Sequence, residues 1–248
     1  MSQVVDMHAC QEFMKETLGR IQKEDLVEIA ILLEEKSAFL QENLHQVELP
    51  TLTKEEMTAV FKHVFITSRK IKLMFETYSL EEYKTSFYAL LYDEKPVQER
   101  FQNFMDTHKK LDTYLRYDLA GELLHYNNPD KYWLWNRWIW DPEINTGAIP
   151  LVVSEDFKLS AATYSEMYMN VGKAITFVHA MAEAVEFQFI NRSLFGTDVY
   201  LSCVYVIYAY TVFKVKMTDE FNKVMPPLAE FSKRILGVHK RKSPVAAS

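Results

Sequence analysis

The chain has 248 residues, 48% hydrophobic and 25% charged, enough to bury a sizeable core as one large domain or two small ones. Its 6 glycines are too few for the closely spaced turns of an all-β protein, and its net charge of -6 counts against nucleic acid as the main partner. The 2 cysteines, Cys10 and Cys203, belong to no CxxC or Cys/His cluster, and no secretory pattern opens the chain; neither a disulfide framework nor a zinc site is expected, and the cytoplasm is the expected compartment.

Taken in order, the chain predicts a helix behind Asp6 through Cys10, Phe13, Met14, Leu18 and Ile21. A second follows from Glu24 to about Leu44, its stripe formed by Leu26, Ile29, Ala30, Leu33, Ser37, Leu40 and Leu44, with Lys36 among the charges placed to the sides. Thr53 with Glu56 is a capping box and opens a helix carrying Met57, Val60, Phe61, Val64, Ser68, Ile71 and Phe75 on one face. Ser79 with Glu82 repeats the signal ahead of Tyr83, Phe87, Leu90 and Leu91, and Pro96 suits the first turn of the next helix. A further helix runs from about Asp112 to Tyr126 and is stopped by Asn127-Asn128-Pro129-Asp130.

All four tryptophans and 3 of the 8 prolines then fall between Tyr126 and Val153. Helix and strand readings both fit Lys131 to Trp140. The turn signals Asp141-Pro142 and Asn145-Thr146-Gly147, followed by the β-rich Ala148 to Val153, predict a small hairpin with Pro150 on an edge. Beyond it, Ser160 to Phe189 reads as a long helix. Val199 to Phe213 is apolar all round but shorter than the roughly 20 residues a bilayer span needs, so it predicts a central buried helix, with a buried strand as the runner-up because Val and Tyr dominate. Thr218 caps a short piece, Pro226-Pro227 breaks it, and Leu228 to Leu236 forms a last helix closed by Gly237.

The expected architecture is therefore a predominantly all-α, multi-helix bundle of about nine helices. An N-terminal bundle (1–126), a Trp-rich connector (127–153) and a C-terminal helical region (154–237) pack as one compact domain, followed by a basic flexible tail (238–248) with His239-Lys240-Arg241-Lys242.

Two sets of residues carry candidate chemistry. Glu42-x-x-His45 and Glu122-x-x-His125 have the i, i+3 spacing used by carboxylate-bridged di-metal bundles. Asp118, Glu122 and His125 share one helix face, and His179, Glu183 and Glu186 share another with the same spacing; opposed, the two faces would form a carboxylate/His pocket for a metal or a general base. The other set is the aromatic block Trp133, Trp135, Trp138 and Trp140 with Lys131 and Arg137 interleaved, residue types that anchor protein interfaces when exposed and plug a core when buried. There is no GxSxG, P-loop or GxGxxG. The leading expectation is a protein-interaction or regulatory module that binds a protein partner through the aromatic block, with no cofactor. The alternative is a helical enzyme or ligand-binding protein using the carboxylate/His pocket, in its metal form a di-metal centre.

Overall fold

The computed structural model describes residues 4–184, 193–216 and 225–239, the side chains of 182–184 and 213–216 excepted. Ten α-helices lie among these residues: α1 (Met7–Arg20), α2 (Lys23–Asn43), α3 (Lys54–His63), α4 (Ile71–Thr77), α5 (Leu80–Tyr92), α6 (Val97–Thr107), α7 (Thr113–Asn127), α8 (Tyr164–Ala184), α9 (Gly196–Lys216) and α10 (Leu228–Ile235). Two 3-10 turns, Leu49–Thr51 and Ile149–Leu151, and two isolated antiparallel bridges, Val5 with Val153 and Asp141 with Thr146, are added to them, and no strand is present among the described residues. The predominantly all-α bundle read from the sequence is the fold, with ten helices among the described residues against about nine expected.

The start signals act as the sequence predicts. Asp6 accepts from the Ala9 amide at 3.0 Å, and the Thr53–Glu56 and Ser79–Glu82 boxes are both closed, each glutamate reaching back to the cap amide at 2.7 Å. A third box, Thr163 with Glu166, opens α8 and explains why that helix starts at Tyr164 rather than Ser160.

Three expectations are corrected. The helix opened by Thr53 does not run on to Phe75: it stops at His63, and α4 begins separately at Ile71. The intervening Val64-Phe65-Ile66-Thr67 is rich in β-branched residues, and the Thr67 hydroxyl satisfies the Phe61 carbonyl at 2.7 Å, offering the backbone an alternative to the helix. The expected hairpin is only a loop. Asp141 N donates to Thr146 O and Ala148 N to Trp138 O, but Pro150 lies in the 3-10 turn Ile149–Leu151, so no strand develops. Lys36, read as flanking its stripe, is buried; its position three after Leu33 and four before Leu40 places it over the core. The Thr218 cap and the continuation of α8 to Phe189 lie outside the described residues.

Two helices form the interior. In α9, Val199 to Val204 are buried without interruption, as the all-round apolar run requires. In α7, 12 of 15 residues are buried, and these include Asp118, Glu122 and His125. Helices from both ends of the chain surround them: α1 packs on α9, and α2 packs on α7, α9 and α10. The connector crosses α7 at Gly121, where a Cβ would stand 2.0 Å from the Trp135 carbonyl oxygen.

Candidate functional site

The polar row of α7 is the first place where the structure tests the predicted chemistry. All three members are buried, and each faces a different element. Asp118 accepts the Arg137 amide at 2.8 Å and lies 3.5 Å from the Arg137 guanidinium; burial pushes its carboxyl well above the usual range against the pull of Arg137. Glu122 pairs with Lys36 at 2.7 Å and also accepts the Phe65 amide at 3.2 Å. His125 places Nε2 2.7 Å from Asp198 Oδ2 and Nδ1 2.7 Å from the Tyr132 carbonyl. Burial alone would lower the His125 pKa, but the charge and hydrogen bond of Asp198, together with the Tyr132 carbonyl, raise it. Both ring nitrogens face acceptors, an arrangement that favours the doubly protonated ring. The row thus ties the connector, α2 and α9 to α7, and its members do not converge on one cavity.

The second row meets it only in part. His179 Nδ1 lies 2.8 Å from the Thr197 hydroxyl, one residue from Asp198, and its ring is 5.4 Å from Trp133. Glu186 and the side chain of Glu183 lie outside the described residues. Among the described residues no group of three His, Cys, Asp or Glu side chains is placed to hold a metal ion. Glu42 is exposed, and His45 is also exposed at the end of α2. Both cysteines are buried, and burial pushes the Cys10 thiol up to about 11 and that of Cys203 to about 12, so neither is an activated nucleophile.

The aromatic block is chiefly core. Trp135 and Trp140 are fully buried and Trp138 nearly so. Trp135 stacks on Tyr117 with centroids 4.7 Å apart and donates to the Trp140 carbonyl at 3.0 Å, and Trp140 donates to Asn145 at 3.0 Å. Only the half-buried Trp133 and Arg137 and the exposed Lys131 remain accessible, so a continuous four-tryptophan contact surface does not exist. Trp133 donates to Thr176 at 2.8 Å, and Arg137 lies 3.9 Å over the Tyr114 ring.

The accessible chemistry lies elsewhere, in a groove assembled from three separate stretches of chain. Its main lobe, a cleft of ≈ 560 Å³, is lined by Lys62, Phe65, Ser68, Arg69, Arg234, Gly237 and His239. A second lobe of ≈ 280 Å³ shares Lys62, Gly237 and His239 with the first and adds Leu32, Glu35, Lys36, His63 and Val238. The early stop of α3 makes one wall, since it frees the 64–70 segment to bring Phe65, Ser68 and Arg69 round. The end of α10 makes the other. Gly237, at φ 73, lets Val238 N reach Lys233 O at 2.9 Å and Gly237 N reach Arg234 O at 3.1 Å, a Schellman turn that needs a left-handed residue.

Beneath the groove the Lys36 ammonium is saturated. It donates to Glu122 at 2.7 Å and to the Leu236 carbonyl at 3.0 Å, and lies 4.1 Å over the Tyr126 ring. With those contacts it is a structural tie rather than a nucleophile. Lys62 and Arg69 are exposed and have no carboxylate partner among the described residues, whereas Arg234 pairs with Glu230. No carboxylate among the described residues lines the main lobe, in a protein of net charge -6. Sequence reasoning missed this site because its residues run from Leu32 to His239 with no motif spacing; the one local signal was Gly237, read only as a helix stop.

Among the described residues no helix is long and apolar enough to cross a membrane. No protein-family model, curated protein or solved structure matches this chain.

Proposed function

We propose that this chain is a helical ligand-binding protein whose groove between the end of α3, the 64–70 segment and the turn after α10 takes a small anionic ligand. The observation that supports this reading is the ≈ 560 Å³ cleft lined by Lys62, Arg69 and Arg234 and by no described carboxylate. That volume is within the roughly 300–1,000 Å³ of small-molecule sites. Among the described residues the groove holds no nucleophile paired with a base, and binding rather than catalysis is the function these side chains support.

The test is native mass spectrometry of the protein isolated from its own cells, followed by thermal-shift titration with simple anions. A bound small acid, or stabilisation that vanishes in Lys62→Ala/Arg69→Ala, supports the reading; a bare chain that no anion stabilises rejects it. A protein-interaction role is the second reading, supported by the half-buried Trp133 beside exposed Lys131. It predicts a co-purifying polypeptide that Trp133→Ala releases and Lys62→Ala/Arg69→Ala does not.

A further inference from the structure

Among the described residues, the charge around the main lobe is small enough to count, the carboxylate of Glu35 belonging to the second lobe. Lys62, Arg69 and Arg234 supply three permanent cations, and the Glu230 carboxylate paired with Arg234 offsets one. Both α3 and α10 end here, with Lys62 and His63 in the last turn of one and Arg234 in the last turn of the other. Each helix end contributes about half a negative charge, which offsets about one more. The surplus at the main lobe, among the described residues, is therefore about one positive charge, suited to one phosphate group.

The cleft has room for much more than that phosphate. Phe65 is 37% exposed and lines the main lobe together with Arg69 and Arg234, residue types on which a flat ring gains aromatic and guanidinium stacking. The second lobe continues past Lys62 to the half-buried apolar side chains of Leu32 and Val238. We infer that the groove binds a phosphate monoester carrying a planar ring, of the size of a mononucleotide, with its phosphate among Lys62, Arg69 and Arg234 and its ring against Phe65. This rests on the anion-binding reading above and narrows it.

Phe65 is also a fixed platform. Its amide is held by Glu122 at 3.2 Å, and its Cβ stands 3.1 Å from where a Cβ on Gly237 would lie, so the turn after α10 packs directly on it.

Isothermal titration of the full chain with AMP, ribose 5-phosphate, inorganic phosphate, adenosine and poly(U) tests the assignment. On the unaltered protein AMP should bind about tenfold more tightly than ribose 5-phosphate, the range expected of one stacked base. Phe65→Leu, which keeps apolar bulk and removes the ring, should bring AMP to the affinity of ribose 5-phosphate, and Arg69→Ala should weaken both by about tenfold. Equal affinity for AMP and ribose 5-phosphate overturns the ring assignment and leaves the anion-binding reading intact. Adenosine binding as tightly as AMP, or poly(U) binding without AMP, also overturns the assignment. If neither phosphate nor either monoester binds, the assignment falls, and the anion-binding reading falls with it when the other simple anions of the thermal-shift titration also fail to stabilise the chain.

Discussion

Replacing Gly121 by alanine tests the crossing on which the interior depends. In an unobstructed helix interior the change would stabilise by about 1 kcal/mol, because alanine is the better helix former. Here the new Cβ would lie 2.0 Å from the Trp135 carbonyl oxygen and 3.0 Å from its carbon, where ordinary contact begins at 3.4 Å, so the connector must retreat by about 1.4 Å. It is pinned on both sides of the crossing, by Tyr132 O on His125 at 2.7 Å and by Arg137 N on Asp118 at 2.8 Å. Leaving a buried polar group without its partner costs about 1–3 kcal/mol, so losing or stretching both bonds outweighs the helix gain and leaves a net loss of about 3 kcal/mol. At about 2–4 °C per kcal/mol for a chain of this size, the Tm should fall by about 6–12 °C. Gly19, exposed near the end of α1 with nothing within 4 Å of its added Cβ, is the control: Gly19→Ala should raise Tm slightly. Differential scanning calorimetry of the two variants gives the comparison. A Gly121→Ala protein that melts at or above the unaltered one would show that the connector does not cross α7 as described.

Lys36→Met should destabilise by about 3–5 kcal/mol in urea unfolding, because it leaves Glu122 buried without its cation, and Lys36→Met/Glu122→Leu should recover most of that loss; independent, additive effects would rule the pair out. The two buried histidines should respond to pH with opposite sign. His108 is enclosed by Tyr83 and Phe104, and burial lowers its pKa from 6.5 to about 4, so unfolding gains a proton as pH falls below 6.5. Its share of stability should drop by about 1.4 kcal/mol per pH unit, about 3 kcal/mol by pH 4, and His108→Phe should flatten that slope in urea titrations from pH 7 to 4. The raised pKa of His125 makes its contribution complete below the unfolded value and lost as pH rises through the folded one, so His125→Gln should reduce stability more at pH 6 than at pH 9. Acrylamide should quench mainly Trp133, and Trp133→Phe should remove most of the quenchable emission; strong quenching that survives the change would contradict the burial of Trp135, Trp138 and Trp140.

Much of the fold was legible in the sequence because its signals are local. A capping box joins residues three apart, the stripe of α2 repeats every three or four, and the run from Val199 to Phe213 is apolar on every side, so each element carries its own instruction. Where a local signal competes with a tertiary one, the sequence misleads. The face from Met57 to Phe75 looks continuous, yet the chain breaks at Val64 and brings the Phe65 amide to Glu122, a partner 57 positions away. The spacing of Asp118, Glu122 and His125 marks one helix face, but whether three charges on that face meet a metal, water or each other depends on what packs there. Arg137, Lys36 and Asp198 arrive from three other stretches and take one each. The groove was the least legible feature, since Lys62, Arg69 and Arg234 come to line one cleft only through the end of one helix and the turn after another. Composition and periodicity determined an acidic helical bundle with a Trp-rich connector. Tertiary packing alone decided that the tryptophans go inward and the cations gather, because burial and long-range charge pairing depend on neighbours far along the chain.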